Sequence, residues 1–370
     1  MVVLDVKLDN FYAFRNFHLN CTYPKKIVDS CIKDEHLVDR PNFRYKKVNI
    51  IMGANASGKT TLGRTLMKIF NFIERKNYEF ITSAIADPQK NAMFVVDLAS
   101  VHNIFYRVTC NISPCTNGKY SLENIALEIR QEQIKAKDSY ESCSKRLEDK
   151  EYYPSESYLE ELEKVSALDW LFEYPEETNR KINLPKDDLK LQNVLQNILK
   201  ALDPSIQAVE KSQEIDNAYV IRLHNKSIIL QDGETFDTEY LSSGTKAGVE
   251  VAKVVSALIQ NVYSFYYCDE KFPYAHSDIE KSILSVMIES IGPNSQLFFT
   301  THNTDVLELN LPKHSFIFLK KNMSDNESPI SAINASSLLK RNTDSLKNAV
   351  ENDLFCAAPS VDGIYDILKI

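Results

Sequence analysis

The chain has 370 residues, of which 44% are hydrophobic and 25% charged, and its formal net charge is −8. This length predicts a sizeable core, built either as one large domain with an insertion or as two domains. No stretch of about 18 uninterrupted apolar residues occurs, so we expect no membrane-spanning helix, and the acidic balance argues against a protein that mainly coats nucleic acid.

The N-terminal residues 3–21 alternate apolar and polar side chains, which is typical of a half-exposed β-hairpin. The polar connection that follows contains basic clusters at Lys25, Lys26, Arg44, Lys46 and Lys47. The favoured interpretation of these clusters is a solvated edge around a strand. A local basic groove that binds nucleic acid is the alternative.

Residues 48–62 read "VNIIMGANASGKTTL", and three of the nine glycines of the chain fall between Gly53 and Gly63. The spacing of Gly53, Gly58, Lys59 and Thr60 is that of a phosphate-binding loop. The apolar run before it predicts a buried parallel strand. The pattern after it predicts a helix whose apolar face carries Leu62, Leu66, Ile69, Phe70 and Ile73.

Further along the chain, residues 91–112 predict more antiparallel strands because they are rich in β-branched and aromatic side chains. From about Ser121 to Leu202 the sequence is dense in charge, and we expect mostly helices with solvated faces. Strand character returns in residues 217–233. The tail from about Ser337 to Ile370 predicts helices with a turn at "AAPSVDG".

Two apolar strands are predicted to end in polar residues. "SFYYCDE" ends in Asp269 and Glu270, where one carboxylate can hold Mg²⁺ through its water shell and its neighbour can activate water. An acidic surface pair is the alternative. "SQLFFTTHN" places His302 within reach of a terminal phosphate, although a histidine at a strand end is often structural.

The stretch "LSSGTK" begins a predicted helix and contains Ser243 and Gly244. Serine and glycine at a helix N-terminus can bind an anion through backbone amides, hydroxyl groups and the helix dipole. A helix start capped by serine explains the same residues. Strands interleaved with helices around a phosphate loop predict an α/β fold with a mostly parallel core sheet, an antiparallel subsheet and a helical insertion.

Taken together and in this order, the four elements resemble the ABC-type ATPases within the P-loop NTPases. Residues 53–60 match Walker A and 241–245 the signature motif, while Asp269 and Glu270 match Walker B and His302 the switch histidine. The opening "KLDNFYAFRNFHLN" resembles the SMC/RecF/OLD branch. The stretches "LSSGTK" and "FTTHNTDVLEL" and the tail resemble ATPases of prokaryotic defence operons, such as the OLD, PtuA and AriA kinds.

This resemblance covers roughly residues 1–110 and 215–362. It implies an ABC-ATPase-like head divided into a Walker A segment (1–120), the helical insertion (121–202) and a segment with the remaining motifs (203–370). Lys271 stands where transport ATPases have proline, and His276 where they have aspartate. A transporter motor is therefore disfavoured.

The resemblance further implies ATP held with Mg²⁺ between two subunits arranged head to tail, in a dimer or a higher even oligomer. Thr60 and Asp269 would hold Mg²⁺. Glu270, His302 and Lys59 would serve catalysis, and Ser243 with Gly244 would contact the γ-phosphate from the partner subunit. The expected phosphate cradle consists of Gly53, Asn55, Ala56, Ser57, Gly58, Lys59, Thr60 and Thr61.

The function implied by this likeness is a nucleotide-driven switch in a prokaryotic defence system, controlling a separately encoded effector such as a nuclease or toxin. The alternative is a RecF/SMC-like DNA-repair ATPase that acts directly on DNA. Seven cysteines at irregular spacing and the lack of a signal-peptide pattern predict a cytoplasmic protein. No membrane partner is expected.

Overall fold

A computed structural model describes residues 1–28, 30–115, 119–173, 188–231, 234–235, 242–270, 276–322, 324–325, 327–341 and 344–356. The chain divides into two compact units. Unit 1 consists of Met1–Trp170 and Pro293–Ile370, and unit 2 is Leu171–Gly292. The predicted divisions at residues 120 and 202 stay predictions.

The strands of the described residues are β1 (Val2–Asp9), β2 (Phe17–Asn20), β3 (His36–Leu37), β4 (Arg40–Arg44), β5 (Val48–Met52), β6 (Ala92–Ala99), β7 (Ile104–Ile112), β8 (Ile125–Gln133), β9 (Trp170–Glu173), β10 (Ile206–Lys211), β11 (Ala218–Leu223), β12 (Ser227–Gln231), β13 (Glu234–Thr235), β14 (Phe265–Asp269), β15 (Gln296–Thr300), β16 (Phe316–Lys321) and β17 (Ile330–Asn334). The α-helices are α1 (Lys59–Arg75), α2 (Glu79–Thr82), α3 (Tyr140–Glu148), α4 (Tyr158–Glu163), α5 (Asp188–Leu202), α6 (Ser243–Ile259), α7 (Ser277–Ser290), α8 (Ala335–Leu338) and α9 (Leu346–Glu351).

Unit 1 contains a five-stranded antiparallel sheet in the order β2-β1-β6-β7-β8. The predicted N-terminal hairpin is confirmed, because β1 and β2 pair from Asp5↔Asn20 to Leu8↔Phe17. The predicted strand pair in residues 91–112 is confirmed as β6 and β7. The predicted antiparallel subsheet therefore forms, but β1 is buried along most of its length and is not half-exposed as its alternation predicts.

Strand β8 lies in the segment for which the sequence predicts mostly helices, and for these residues that prediction is wrong. Ile125, Leu127 and Ile129 occupy every second position of β8, which is the period of a strand. The high charge of the intervening positions hides this alternation. Because β8 is an edge strand that pairs with β7 alone among the described strands of this sheet, charged side chains suit it well.

The second sheet of unit 1 places β5 at its centre, in the order β17-β16-β5-β15. Strand β5 runs parallel to both β15 and β16, and all five of its residues are buried. The prediction of a buried parallel strand before the glycine loop is confirmed. Such a strand needs a helix on its face, and α1 follows the loop directly.

Helix α1 buries the apolar face that the sequence predicts, since Leu62, Leu66, Ile69, Phe70 and Ile73 are all buried. Its Phe72 ring meets the Phe94 ring of β6 edge to face, with 6.3 Å between ring centroids. The helix that begins at the glycine loop is thus packed against the antiparallel sheet. This contact ties the loop to the interior of unit 1.

A buried glutamine joins the two sheets of unit 1. Gln296 in β15 is 0% exposed, and its side-chain oxygen accepts a hydrogen bond from the Val3 N–H of β1 at 2.8 Å. Its side-chain nitrogen donates to the carbonyl oxygens of Val3 and Lys46, both at 3.0 Å. The Gln296 side chain therefore replaces a strand partner for Val3 beside the bulge in the β1–β6 pairing.

Two of the basic residues before β5 are buried, which differs from both interpretations of the basic clusters. Lys46 and Lys47 are 3% and 2% exposed. The Lys46 ammonium group donates to the Asn20 carbonyl oxygen at 2.7 Å and to the Asn334 side chain. Burial lowers the pKa of Lys46 to about 8, against smaller raising effects of Cys21 and Asp5. Lys46 thus links β2 to β17 inside unit 1.

Unit 2 contains a four-stranded sheet in the order β10-β11-β12-β13. The predicted strand character of residues 217–233 is confirmed by β11 and β12. Helix α5 precedes this sheet in the sequence and helix α6 follows it. Strand β14 is hydrogen-bonded to strand β9. The rings of Phe172 and Tyr267 from these two strands stack at 5.7 Å.

The C-terminal tail is described as far as Cys356, and it contains α8 and α9 as the sequence predicts. The predicted "AAPSVDG" turn lies outside the described residues. Within the parts of the chain that the structure describes, no helix has the length and apolar character needed to cross a membrane.

We predict that Gln296→Leu lowers the free energy of unfolding by about 3 kcal/mol, because two backbone groups of Val3 and the Lys46 carbonyl lose a buried partner. Urea unfolding followed by circular dichroism measures this change. The control is Gln131→Leu at an exposed position of β8, which we expect to change stability by less than about 1 kcal/mol. Equal effects of the two substitutions would contradict the role of Gln296.

Candidate nucleotide-binding site

The glycine loop of unit 1 takes a conformation that requires glycine at two positions. Gly53 has φ of 155° and Gly58 has φ of 106°, both in a region that residues with a side chain avoid. A Cβ atom at Gly53 would lie 2.6 Å from the Leu319 backbone oxygen and 2.6 Å from Ser57 Oγ. The loop therefore passes too close to β16 and to its own Ser57 to carry a side chain there.

Strand pairing places the switch-histidine candidate at the same end of the sheet as this loop. In the parallel pair β15–β5, Thr300 lies opposite Ile51, and the Thr301 N–H donates to the Ile51 carbonyl oxygen at 3.1 Å. His302 follows directly and is exposed. Carboxyl ends of neighbouring parallel strands meet at one edge, so His302 and Gly53 leave their strands side by side.

Lys59 begins α1 and lies along the glycine loop. Its side chain is buried, and its Nζ donates to the carbonyl oxygens of Gly53 at 2.8 Å and Ala54 at 3.2 Å. The residue before it, Gly58, has no side chain to cap α1, and the first turn of α1 contains no acidic residue. The positive end of the helix dipole therefore has no acidic side chain in its first turn, which suits an anion.

The loop residues fit a polyphosphate. Ser57 is 2% exposed, and its Oγ has no hydrogen-bond partner among the described residues, so it is a polar group that an oxygen-rich ligand can satisfy. Asn55 and Ala56 are exposed at the loop tip, and Thr60 and Thr61 are half-buried in the first helical turn. These residues and Lys59 supply the backbone amides, hydroxyl groups and ammonium group that a polyphosphate needs. That they bind ATP, and that Thr60 holds Mg²⁺, stays a prediction.

Apolar residues behind the loop were not found by the sequence analysis. A Cβ atom at Gly58 would lie 3.0 Å from Ile330 Cδ1 and 3.5 Å from the ring of Phe14, and both side chains are buried. Phe14 belongs to the turn between β1 and β2. The apolar spacing in "FYAFRNF" is the signal that could have marked Phe14 as a residue that supports the loop.

Unit 2 carries the acidic pair at the end of β14. Asp269 is the last residue of this fully buried strand and is 1% exposed. Glu270 follows with φ of 40°, a left-handed conformation that is uncommon for glutamate. Such conformations concentrate at functional sites, because surrounding contacts must hold them. The backbone thus turns sharply after β14. Asp269 has the extended conformation of the strand, whereas Glu270 has a left-handed conformation.

Helix α6 begins with a serine cap, as the sequence predicts, and the capping residue is Ser242. Its Oγ accepts a hydrogen bond from the Thr245 N–H at 3.1 Å, while Ser243 is the first helical residue and Gly244 is half-buried. The Ser243 side chain, Leu241 and Lys271 lie outside the described residues. His276 caps α7 by accepting from the Asp278 N–H at 3.3 Å. Anion binding by Ser243 and Gly244 stays a prediction.

The candidate residues fall into one group in each unit. Unit 1 carries the glycine loop, Lys59 and His302, and unit 2 carries Asp269 with Glu270 and the start of α6. Within unit 1 the structure brings the loop and His302 to one edge of the sheet. That the two groups act on one nucleotide is a prediction, and so is the role of each residue.

No model of a known protein family matches the chain, and no curated protein matches it in sequence. Solved structures do match. An SMC head bound to the C-winged helix domain of ScpA has a TM-score of 0.53 and 14% identity, over 92% of this chain and 100% of that one. An SMC head with an extended coiled coil, bound to the C-terminal domain of ScpA derived from Pyrococcus furiosus, has a TM-score of 0.51 and 12% identity, over 96% and 99%.

The chain therefore has the fold of SMC heads, an ABC-type ATPase fold of the P-loop NTPase class. The α/β fold prediction is confirmed at this level. The narrower likeness to defence ATPases finds no support in these comparisons and stays a prediction. At these sequence identities the likeness describes the fold, and the chemistry has to be argued from the residues.

We predict that Gly53→Ala abolishes measurable ATP binding, because the added Cβ meets a backbone oxygen at 2.6 Å and the loop must move. Isothermal titration calorimetry with ATP and Mg²⁺ measures the effect. The far-UV circular dichroism of the variant should match that of the parent protein. A folded Gly53→Ala protein that binds ATP with unchanged affinity would show that the close approach to Leu319 does not shape the site.

Proposed function

We propose that the protein binds and hydrolyses ATP with Mg²⁺ and uses the nucleotide to switch between open and closed arrangements of two subunits. The observation that carries this proposal is the conformation of the glycine loop. Gly53 and Gly58 take left-handed conformations before α1, the buried Lys59 lies along the loop, and Ser57 Oγ has no hydrogen-bond partner among the described residues. Backbone amides at a helix start and a lysine are the donors that a triphosphate needs.

In the proposed mechanism, the amides of residues 54–60 bind the phosphates and Lys59 contacts the β and γ oxygens. Bound Mg²⁺ would neutralise charge that develops on the phosphates, and Thr60 and Asp269 are the residues to hold it. Glu270 orients and polarises the attacking water. His302, exposed at the loop edge, contacts the γ-phosphate.

The contact from the second subunit is assigned to Ser243 and Gly244. At the N-terminus of α6, Ser242 already satisfies the Thr245 N–H, so the earlier amides of the helix remain as donors to an anion. A γ-phosphate that contacts both subunits stabilises the closed dimer, and hydrolysis removes that contact.

We further propose that this switch acts on a separately encoded protein. Both SMC heads of similar fold were solved with a domain of another protein, ScpA, bound to them. For this chain we propose a defence effector such as a nuclease or toxin, on the sequence likeness of "LSSGTK" and "FTTHNTDVLEL" to defence ATPases. None of the seven cysteines forms a disulfide bond, which suits a cytoplasmic setting.

Direct action on DNA is the second candidate, on the sequence resemblance of "KLDNFYAFRNFHLN" to the SMC/RecF/OLD branch. The charge distribution supports it less. Of the basic residues before β5, Lys46 and Lys47 are buried inside unit 1, where both form hydrogen bonds. These two side chains therefore do not line a surface groove. Binding to a phosphate backbone needs exposed basic side chains.

We predict that Glu270→Gln accumulates as a dimer with ATP, because it retains the nucleotide contacts and loses the group that activates water. Light scattering during gel filtration, with ATP and with ADP, measures this change. Lys59→Ala should lose both ATP binding and dimer formation. The partner-side control is Ser243→Arg, which should bind ATP and fail to dimerise.

Two results would contradict the proposed function. Continued hydrolysis by Glu270→Gln would remove Glu270 from its role. Normal turnover by Ser243→Arg would exclude a nucleotide that is shared between two subunits.

We predict that duplex DNA changes ATP turnover by less than about twofold at low salt, since the buried lysines cannot contact phosphates. ATPase assays at two salt concentrations measure this effect. Purification from the native operon, with and without ATP, should recover a second protein in a nucleotide-dependent manner. Strong stimulation by DNA that falls steeply with salt would establish the DNA-repair alternative instead.

A further inference from the structure

Helices α5 and α6 of unit 2 cross at a point where only glycine fits without rearrangement. Gly248, on the second turn of α6, is buried. A Cβ atom there would lie 2.4 Å from Leu202 Cδ1, 3.1 Å from Leu199 Cδ2 and 3.8 Å from Ile198 Cγ2. Carbon atoms in contact sit about 3.5–4.0 Å apart, so a single methyl requires the Leu202 side chain to move, and a larger side chain crowds Leu199 as well.

Helix α5 is also attached to the edge of the four-stranded sheet. The Val209 N–H of β10 donates to Gln196 Oε1 at 3.2 Å, and the Val209 carbonyl accepts from Gln192 Nε2 at 3.0 Å. The two glutamines stand one helical turn apart and together satisfy both outward backbone groups of one edge residue. Movement of α5 away from β10 therefore breaks two hydrogen bonds.

The crossing lies close to the residues assigned to the partner's γ-phosphate. Gly244 and Gly248 are four residues apart and share a face of α6. The backbone of α6 is continuous between them, so a shift at Gly248 is transmitted to Ser243 and Gly244 over about 6 Å of helix. Phosphate contacts through backbone amides tolerate little displacement.

We propose that Gly248 is a positioning residue, which holds the start of α6 where Ser243 and Gly244 can reach a nucleotide bound by a second subunit. The close crossing with α5 and the attachment of α5 to β10 set that position. This inference rests on the proposed shared-nucleotide function and adds a residue that no motif includes.

The test uses the full-length Glu270→Gln protein as the parent, and adds Gly248→Val. Valine adds three side-chain carbons at the crossing, and Leu202→Ala removes three from the other side, so the double variant conserves volume. We expect Gly248→Val to weaken ATP-dependent dimerisation at least about tenfold, and the double variant to return it to within about threefold of the parent. Sedimentation velocity measures dimerisation.

Two further readouts separate positioning from general destabilisation. ATP affinity at protein concentrations below dimerisation should change less than about twofold, since the glycine loop belongs to unit 1. The milder Gly248→Ala should be intermediate in dimerisation and retain the parent's melting temperature within a few degrees. Leu202→Ala alone reports the cost of the cavity.

Other results of these measurements would contradict either the role of Gly248 or the proposed function. Unchanged dimerisation of Gly248→Val overturns the inference, and so does a loss that parallels the fraction unfolded and is not restored by Leu202→Ala. Failure of the Glu270→Gln parent itself to dimerise with ATP overturns the proposed function, which distinguishes the two.

Discussion

The parallel pairing of β5 with strands on both sides is the constraint on which the candidate site depends. Because β15 and β16 fix β5 from opposite edges, the chain must leave the sheet at Gly53 in one direction. The Leu319 backbone then stands against Gly53, and His302 leaves the neighbouring strand at the same edge. The sheet around the glycine loop therefore limits the path that the loop can take.

Buried polar side chains, in place of apolar ones, hold the two sheets of unit 1 in register. Gln296 forms three hydrogen bonds to backbone groups, and Lys46 bridges β2 and β17. An apolar contact would tolerate sliding of one sheet over the other, whereas these bonds have fixed directions. The hairpin turn with Phe14 consequently stays against Gly58, so the N-terminal segment supports the phosphate loop from behind.

The sequence predicts well those elements whose periodicity reports burial on one side. The β1–β2 hairpin, β5 and the apolar face of α1 all follow from spacing alone. The sequence predicts poorly those segments in which charged side chains are buried or lie on an edge strand. Lys46 and Lys47 have the composition of a surface cluster and are buried, because their partners come from distant segments.

The site shows the same division. The loop residues can be recognised in the sequence from their spacing, and the acidic pair from its place directly after an apolar strand. The support from Phe14, Leu319 and Ile330 arises from strand order, which no local pattern encodes. Likewise Ser242, and not its neighbour, caps α6, since two adjacent serines offer equal propensity and only the helix geometry selects one.

Glycine usage is similar in the two segments to which we assign nucleotide binding, one in each unit. Among the described residues, asparagine occupies many left-handed positions, namely Asn10, Asn16, Asn103, Asn217, Asn261 and Asn294, which it tolerates better than most residues. The chain therefore needs few glycines for left-handed turns of this kind, which differ from the φ of 155° at Gly53 and of 106° at Gly58. Five of its nine glycines nevertheless lie in the glycine loop with the start of α1 and in the start of α6. At Gly53 and Gly248 a Cβ would collide, so glycine is retained there because of space. Close approach of backbone to a neighbour is thus the shared property of the two segments to which we assign the triphosphate.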